Sequence, residues 1–580
     1  MSITYTKEKV IEALDMLSKG IIQPAEEYLD SFQKSLNAWN IVTEILYSRP
    51  YPDMKVLTFS AICIAKKIKL DFEELRTAEL ISLRDLLIDL LKNAAMMPDG
   101  KPLVVQLAVC LSVLGLMSGS WNPELRKFVR ELSGWPEHVM ALLEVLKVLP
   151  EETRPLNLAV NETALEYMKH ELRFQSNYVL NVLEELLERQ DLPSLVCLPK
   201  CLEVCGSWIK FGLVSPDDML ERKLYQRINI ILVTPQVEGH LEATECIVAM
   251  LKQSLVSDCL DSKLAKLVIS LEPALIRSTS NLQLMQNYCD IFVNLFRTFF
   301  KLTRTDPTKI EERKLTISLL LLIAEHCPLK VIETSLEMWS LLSENKKDPQ
   351  KTIYQPYFMK LLGHLFPRLL LPESYESIVP PGPLDMHRFR EPIAEFLGDI
   401  CHLVDINTMD KLFNVVRNEM SPWAEVEVAV FFLQHFIKNF KESQTHIIVK
   451  ILDSIKNRKQ TFIRQQVLEL ISIPKTVDLD IIWSFLLNEL RQERPLLAAV
   501  NCRLELLLPH WSFLIVLASM VDEFHLEETD RYQLLVFICN VLRQLPESDI
   551  PKARSLLSKI EWRMCPNHEL ANRINVIQNL

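Results

Sequence analysis

Glycine is scarce in this sequence, with only 11 among 580 residues. Loops that cradle phosphate groups need glycines at fixed spacing, and the chain contains neither G-x-G-x-x-G nor G-x-x-x-x-G-K. The G-x-S-x-G and H-E-x-x-H patterns of hydrolytic sites are also missing. We therefore expect no catalytic residue, no metal site and no cofactor, and we predict that the protein is not an enzyme.

Signals for β-hairpins and for secretion are missing as well. The sequence has no Asn-Gly pair, and its one Asp-Gly pair, Asp99-Gly100, lies between two helical patterns. The first residues, MSITYTKEKV, lack the apolar core of a signal peptide, and the 13 cysteines are scattered rather than arranged as a disulfide framework. We therefore expect a protein of the reducing cytoplasm and nucleus.

Long hydrophobic runs are rare too. The most apolar stretch, Leu103–Trp121, is interrupted by Gln106 and Ser112. We interpret it as a helix buried between neighbouring helices rather than a membrane span, and we expect no membrane insertion.

The sequence has fewer basic than acidic residues, which gives a formal net charge of -11 and an isoelectric point near 5.7. Domains that bind nucleic acid by neutralising phosphates are usually basic, so direct nucleic-acid binding is not expected. The acidity favours a basic partner; the alternative is that it only keeps a large protein in solution.

Prolines are plentiful, 31 in total, and recur between amphipathic stretches of one helix length. At Ser215-Pro216 the serine is predicted to cap a helix that starts with the proline. After it, Leu220, Leu224, Ile228 and Ile231 fall on one apolar stripe. Counting such stretches predicts an all-α fold, a right-handed α-solenoid superhelix of about 13 HEAT-type helix pairs.

Three thiols, Cys197, Cys201 and Cys205, recur at intervals of four residues. On one continuous helix they would align and hold a soft metal ion. We expect Pro199 to lie in the first turn of a helix, which would leave Cys197 outside the stripe. Buried core cysteines are therefore the favoured interpretation. Four tryptophans within apolar patterns are likewise predicted to be core residues rather than stacking platforms for bases: Trp39, Trp208, Trp339 and Trp423.

Several segments resemble importin-β-type nuclear transport receptors, the karyopherins, and within them the branch of transportin-SR and importin thirteen. The likeness runs along most of the chain in a shared order. Its segments are NAWNIVTEIL from Asn37, TFSAICIAKKIKLDFEEL from Thr58, SLRDLLIDLL from Ser82, QLAVCLSVLGL before Trp121, LLEVLKVLPEE from Leu142, CLEVCGSWIKFGLV from Cys201, PYFMKLLGHLFPRLL from Pro356, MHRFREPIAEFLGDI from Met386 and SPWAEVEVAVFFLQHFI from Ser421.

The resemblance implies a receptor that shuttles between cytoplasm and nucleus through the nuclear pore. Its implied partners are Ran-GTP, protein cargo rich in Arg-Ser dipeptides, and phenylalanine-glycine (FG) repeat proteins of the pore. Residues 1–150 resemble the Ran-binding N-terminal repeats of the family, and residues 151–580 continue the solenoid. A HEAT-repeat scaffold or regulatory subunit without transport activity is the alternative.

One helix in the Ran-binding region provides candidate contact residues. Between Asp53 and Ile68 the predicted core stripe leaves Lys55, Thr58, Ile62 and Lys66 on the opposite side. These four are the predicted partner-binding residues; an ordinary solvated helix face is the alternative.

Receptors of this family are longer than this chain, so we expect that it lacks the C-terminal third. The segment Arg531–Leu545 carries apolar positions with no following repeat to cover them. Since the family's Arg-Ser cargo groove lies largely in C-terminal repeats, we expect Ran binding to be retained and phosphorylated Arg-Ser cargo to bind weakly.

Overall fold

A computed structural model describes residues 4–466 except 21, 120, 156–157, 159, 193, 235–237, 304–306, 344–350, 377–384, 438–445, 456–457, 459, 461 and 464–465. Within these ranges the regular structure is α-helix with four short 3-10 turns, and no residue lies in a β-strand. The all-α prediction is confirmed. The Arg531–Leu545 segment, and part of the predicted 13 helix pairs, lie outside the described residues.

The chain divides into two compact units, Met1–Cys327 and Pro328–Leu580. The described helices of unit 1 are α1 (Lys7–Ser18), α2 (Ile22–Gln33), α3 (Asn37–Tyr47), α4 (Met54–Asp71), α5 (Thr77–Ala95), α6 (Lys101–Ser118), α7 (Trp121–Leu132), α8 (Pro136–Glu151), α9 (Glu162–Glu188), α10 (Ser194–Lys210), α11 (Pro216–Leu220), α12 (Lys223–Val233), α13 (His240–Val256), α14 (Ser262–Ile269), α15 (Glu272–Arg277), α16 (Leu282–Thr303) and α17 (Ile310–His326). The subdivision at residue 150 concerns a binding role and stays a prediction.

Polar caps fix several helix starts. The predicted Ser215 cap is confirmed, because its hydroxyl accepts a hydrogen bond from the Asp218 backbone N–H at 3.1 Å. Asn161 caps the long helix α9 in the same way, accepting from the Ala164 backbone N–H at 2.8 Å. Short polar side chains thus define where these two helices begin.

Six helices of unit 1 form one continuous row in which each helix packs against the next: α4, α6, α8, α10, α13 and α16. A second row packs mainly against the first: α3, α5, α7, α9, α12 and α14. This two-layer stack is the predicted helical-repeat solenoid.

The core lies where helices of the continuous row meet. Trp208 of α10 is buried against α8, and its indole N–H donates a hydrogen bond to the Leu146 carbonyl oxygen at 2.8 Å. Trp339 and Trp423 are buried too, as predicted, whereas Trp39 is only half-buried. The predicted core position is therefore confirmed for three of the four tryptophans.

Helix α6 contains most of the apolar stretch Leu103–Trp121. It is long and apolar enough, with a mean hydropathy of 1.7, to cross a membrane by length and composition alone. In unit 1 it packs between α4, α5 and α8, and Leu107 and Leu111 are completely buried. Helix–helix burial accounts for its composition, in agreement with the sequence interpretation.

Two boundaries differ from expectation. The stripe that ends at Ile231 lies on two helices, because the chain breaks at Glu221 and Arg222 between α11 and α12. Arg222 adopts an extended conformation there, and its guanidinium donates hydrogen bonds to the side-chain oxygens of Asn177 and Asn181 on α9. A tertiary contact therefore ends the first helix.

Helix α10 is the second difference. It begins at Ser194, so Pro199 lies inside the helix rather than in its first turn, and Cys197 is a buried helical residue. The expectation that Cys197 lies outside the stripe was wrong. The missing Pro199 N–H removes one helical hydrogen bond, a loss that burial of the surrounding apolar residues offsets.

Unit 2 contains α18 (Leu329–Ser343), α19 (Lys351–Arg368), α20 (Asp385–Ile400), α21 (Ile406–Arg417), α22 (Trp423–Ile437) and α23 (His446–Ile455) among its described residues. A buried ion pair joins α20 to α22: the Arg390 guanidinium donates to both carboxylate oxygens of Glu427 at 2.6 and 2.7 Å. It also donates to the Leu369 carbonyl oxygen at 2.8 Å. This bidentate geometry fixes how the two helices pack.

Candidate partner-binding surface

The exposed face of the continuous row is the candidate binding surface of unit 1. Helices within this row contact one another extensively, whereas helices of the second row make few contacts among themselves. The more closely spaced layer of a two-layered stack lies on the inside of its curve. Helical-repeat proteins use the concave side as an extended binding surface.

The four predicted contact residues share one face of α4. Lys55 and Ile62 are exposed, Ile62 to 40%, and Thr58 and Lys66 are half-buried. The predicted core stripe is buried at every position: Leu57, Ala61, Ile64 and Ile68. The geometry of α4 is thus confirmed, and the binding role of the four residues stays a prediction.

Lys66 differs from Lys55 in its surroundings. Its ammonium donates a hydrogen bond to the Gln33 side-chain oxygen at 2.8 Å and lies 3.6 Å from the Asp30 carboxylate, both on α2. No ion pair or hydrogen bond joins the Lys55 ammonium to a described residue. Lys55 is therefore the more available cation for a partner.

Lys67 is a buried charge that the sequence interpretation missed. It is 2% exposed, and its ammonium lies 2.5 Å from the Asp71 carboxylate and 3.6 Å from that of Glu74. The same ammonium lies 5.6 Å from the Trp39 ring centroid, and the Trp39 indole N–H donates to Glu74 at 2.9 Å. The cluster ties the end of α4 to α3, so Lys67 is structural. The i, i+4 spacing of Lys67 and Asp71 is its only local signal.

Ion pairs link α8 and α10 across the same row. The Lys147 ammonium lies 2.6 Å from the Glu203 carboxylate, and the Lys200 ammonium lies 2.6 Å from that of Glu144. Burial alone would raise the pKa of Glu203, but hydrogen bonds from Lys147 and Lys200 outweigh it and hold this pKa below its usual value. Charges on this part of the surface compensate one another.

Two acids farther along the row are less well compensated. Partial desolvation, with the nearby Glu242 charge, raises the pKa of Glu245 on α13, although this residue is exposed at the surface. Burial also raises the pKa of Asp290 on α16, although Gln286 donates a hydrogen bond to it at 3.0 Å. Carboxylates in such surroundings gain from a cationic partner.

A groove of about 430 Å³ opens where α6, α8 and α10 begin. Its apolar lining includes Val104, Val105, Met140, Val196 and Pro199. Charged side chains also line it: Lys101, Glu137, Glu144, Lys200 and Glu203. An apolar floor with charges of both signs suits a side chain or short segment of a protein partner.

A second groove, of about 370 Å³, lies on the second row between α5 and α7. Leu80, Ile81, Leu114 and Phe128 supply apolar surface, and Ile81 is largely exposed. Phe72 also lines the groove. The dimensions and composition suit a single aromatic side chain.

The predicted core role of the cysteines is confirmed. Cys197, Cys201 and Cys205 are buried, with Cys197 Sγ lying 3.8 Å from Cys201 Sγ and Cys205 Sγ lying 3.7 Å from Met219 Sδ. Throughout the described part of the chain, no three His, Cys, Asp or Glu side chains converge as metal ligands would.

Two family models match parts of this chain. Residues 100–247 match the model described as exportin 1-like protein. Residues 280–367 match the second TPR domain of transportin-3/importin-13. The two matches cover α6, α8, α10, the first half of α13 and α16 of the continuous row, and the second match reaches into unit 2.

Individual transport proteins are similar as well. Transportin MOS14 of Arabidopsis thaliana is 20% identical over 473 residues, which cover 75% of this chain and 48% of that protein. The chain therefore spans about half the length of this curated relative.

Two solved structures share the fold. The cytosolic state of importin13 matches with a TM-score of 0.58 and 13% identity, over 90% of this chain and 66% of that one. Kap121p bound to RanGTP matches with a TM-score of 0.62 and 14% identity, over 93% of this chain and 52% of that one.

Proposed function

Because this chain belongs to the importin-β-type karyopherins, we propose that it acts as a nuclear transport receptor. In this proposal it binds Ran-GTP and carries protein cargo into the nucleus through the nuclear pore. The observation that carries the proposal is the exposed face of the continuous row, with its apolar groove and its under-compensated acids. Binding, not catalysis, is the proposed activity.

Ran-GTP is assigned to residues 1–150, at the face of α4. Kap121p, whose fold this chain shares, has been solved with RanGTP bound. Lys55 and Ile62 offer an exposed cation and an exposed apolar side chain on one helix face. Thr58 and Lys66 complete the contact, with Lys66 contributing less because α2 already engages its ammonium.

Protein cargo is assigned to the later part of the continuous row. Glu245 and Asp290 favour a basic segment, which agrees with Arg/Ser-rich cargo in its unphosphorylated form. Phosphorylated Arg-Ser cargo is still expected to bind weakly, because these carboxylates would repel its phosphates. Arginine would bind such carboxylates in bidentate fashion.

FG-repeat proteins of the pore are assigned to the second-row groove. A phenylalanine ring would rest against Leu80, Ile81 and Phe128. One such contact is weak, so passage through the pore would depend on several contacts made at once. The receptor would then shuttle between cytoplasm and nucleus.

Ran-GTP and cargo would be coupled through the solenoid. If Ran-GTP lowers the affinity for cargo, cargo must lower the affinity for Ran-GTP by the same factor. Small rotations between neighbouring repeats provide a route for this coupling, since each helix of the row contacts chiefly the next.

A pull-down comparing Ran-GTP with Ran-GDP tests the proposal. We expect the 580-residue chain to retain Ran-GTP and not Ran-GDP, and to release bound proteins when Ran-GTP is added. Failure to distinguish the two nucleotide states would reject the receptor proposal and favour a HEAT-repeat scaffold.

A further inference from the structure

One edge of unit 1 combines arginines with exposed aromatic rings, away from the surfaces described above. Here the middle of α9 meets the turn that follows α10. The Arg173 side chain of α9 donates a hydrogen bond from Nε to the Gly212 carbonyl oxygen at 3.1 Å. The Arg154 guanidinium, which follows α8, lies 5.2 Å from the ring centroid of Phe211. The Phe211-Gly212 turn thus has an arginine on each of two neighbouring elements.

Exposed aromatic side chains extend this edge along α9. Tyr167, His170 and Phe174 follow one another at intervals of three and four residues and so share a helix face. Phe174 is 68% exposed and Tyr167 is 58% exposed. The His170 ring meets the Phe174 ring edge-on, with centroids 4.7 Å apart and planes at 87°. Phe174 thus contacts His170 through one edge and remains largely exposed to solvent.

The positive charge at this edge is not neutralised by an ion pair. The hydrogen bond of Arg173 goes to a neutral carbonyl, and within the described residues no carboxylate lies at ion-pair distance from Arg154 or Arg173. The neighbouring carboxylate of Glu166 bonds to Lys169 at 2.7 Å, and this hydrogen bond is the main reason that its pKa is lowered. Unpaired guanidinium groups beside aromatic rings are a binding surface for carboxylates.

We propose that this edge, defined by Arg154, Tyr167, Arg173, Phe174 and Phe211, is a docking site for an acidic protein segment that carries an aromatic residue. Carboxylates of the segment pair with the two arginines, and its aromatic side chain packs on Phe174 and Tyr167. Charge complementarity selects this occupant, because neither arginine makes an ion pair with a carboxylate of the described residues, although the Glu166 carboxylate interacts electrostatically with Arg173 at longer range. Nucleic acid fits less well, since two arginines on a chain of net charge -11 neutralise few phosphates.

This site differs from the proposed cargo surface in both place and chemistry. The cargo surface is acidic and lies on the continuous row, whereas the α9 edge is basic and involves a second-row helix. The receptor would therefore hold a basic cargo and an acidic partner at the same time. A substitution that abolishes binding of the acidic segment would leave cargo binding intact, and the reverse would also hold.

The test measures binding of a fluorescein-labelled peptide, DEDFDED, to the 580-residue chain by fluorescence anisotropy. We expect saturable binding that weakens about tenfold in Arg154→Glu/Arg173→Glu and about threefold in Phe174→Ala, as expected for charge-assisted and aromatic contacts. The matched control Arg130→Glu alters an exposed arginine on α7 and should bind like the parent chain. Circular dichroism checks that each variant is folded. If Arg154→Glu/Arg173→Glu unfolds, the milder double variant Arg154→Ala/Arg173→Ala is measured in its place.

Two further ligands test whether binding depends on carboxylates and whether nucleic acid binds instead. The peptide NQNFNQN, with amides in place of carboxylates, should not bind, and an oligothymidylate should bind no better than it does to the double variant. The proposal is overturned if peptide binding is unchanged in both arginine variants. It is also overturned if an oligothymidylate binds more tightly than DEDFDED. Ran-GTP binding is measured on the same variants and should be unchanged. If the parent chain binds DEDFDED but does not bind Ran-GTP, the result counts only against the proposed transport function.

Discussion

The two helix rows of unit 1 present different surfaces. Helices of the continuous row stack directly on one another, and their exposed face carries inter-helix ion pairs such as Lys147–Glu203. Helices of the second row contact one another little and expose apolar side chains such as Ile81 and Phe174. Direct stacking places inter-helix ion pairs beside a groove of mixed apolar and charged lining. The second-row helices also form ion pairs, such as Lys127–Asp85, but the groove between α5 and α7 is mainly apolar and suits a single side chain. The stack thus offers two kinds of recognition.

Removing a core residue of the continuous row should have the largest effect on stability. In Trp208→Ala we expect a loss of about 3–5 kcal/mol, because the change leaves a large cavity and an unpaired Leu146 carbonyl oxygen. Urea unfolding followed by circular dichroism measures it. Phe174→Ala on the second row is the matched control and should change stability by less than about 0.5 kcal/mol. Equal losses in the two variants would contradict the distinction between the rows.

Charge reversal on α4 tests the proposed Ran contact. We expect Lys55→Glu/Lys66→Glu to weaken Ran-GTP binding about tenfold, or about 1.4 kcal/mol, with unchanged helicity. Lys55→Glu alone should account for most of the loss, since the Lys66 ammonium is engaged by Gln33. Surface plasmon resonance measures the affinity, and Lys19→Glu at the end of α1 is the control. Unchanged affinity in the double variant would remove α4 from the contact surface.

Polar substitution in the second-row groove should have a smaller effect. In Ile81→Asp we expect an FG-repeat peptide to bind about threefold more weakly, since one exposed aliphatic contact is lost. Titration monitored by NMR measures the affinity. Ile230→Asp, on α12 outside the groove, serves as control because Ile230 is also exposed. An equal loss in both variants would show that the groove is not the site.

The smallest expected effect concerns two acids of the continuous row with opposite pKa shifts. The raised pKa of Glu245 means that its charge opposes folding at neutral pH, and that this cost shrinks as pH falls from the raised pKa and is gone below the ordinary value of 4.5. The lowered pKa of Glu203 means that its charge stabilises folding above the ordinary value of 4.5, and that this gain is lost as pH falls through the lowered pKa.

Thermal unfolding between pH 7 and pH 3 separates these two acids. At pH 7, Glu245→Gln should raise the unfolding midpoint and Glu203→Gln should lower it, and both differences should shrink toward acid pH. Shifts of the same sign at pH 7 would show that the surroundings of the two acids do not differ as described.

Local pattern was enough to predict much of α4. The spacing of Leu57, Ala61, Ile64 and Ile68 identified its buried side, and the residues opposite them are more exposed. The pattern did not reveal that Lys66 bonds to Gln33 and that Lys67 is buried, because those environments depend on α2 and α3. Periodicity identifies the buried side of a helix, whereas the environment of its charges depends on which helices are neighbours.

Helix ends were harder to predict than helix faces. The Ser215 cap was identified because its partner is three residues away, whereas the break at Arg222 depends on asparagines about 40 residues earlier. Pro199 was misplaced for a related reason, since α10 continues through it only in the presence of the helices that bury Cys197 and Cys201. The second-row groove and the α9 edge likewise combine residues from separate helices, which one sequence does not bring together.

The neighbour-to-neighbour construction of the continuous row also gives unit 1 a mechanical property. A tilt at the contact between α8 and α10 need not break the contact between α13 and α16, because these two contacts are connected only through the intervening packing of α10 on α13 within the row. Load applied at one end is therefore shared as many small angular displacements, each of which costs little. Unit 1 is expected to behave as a spring that stores elastic energy while a partner bends it and returns that energy when the partner leaves.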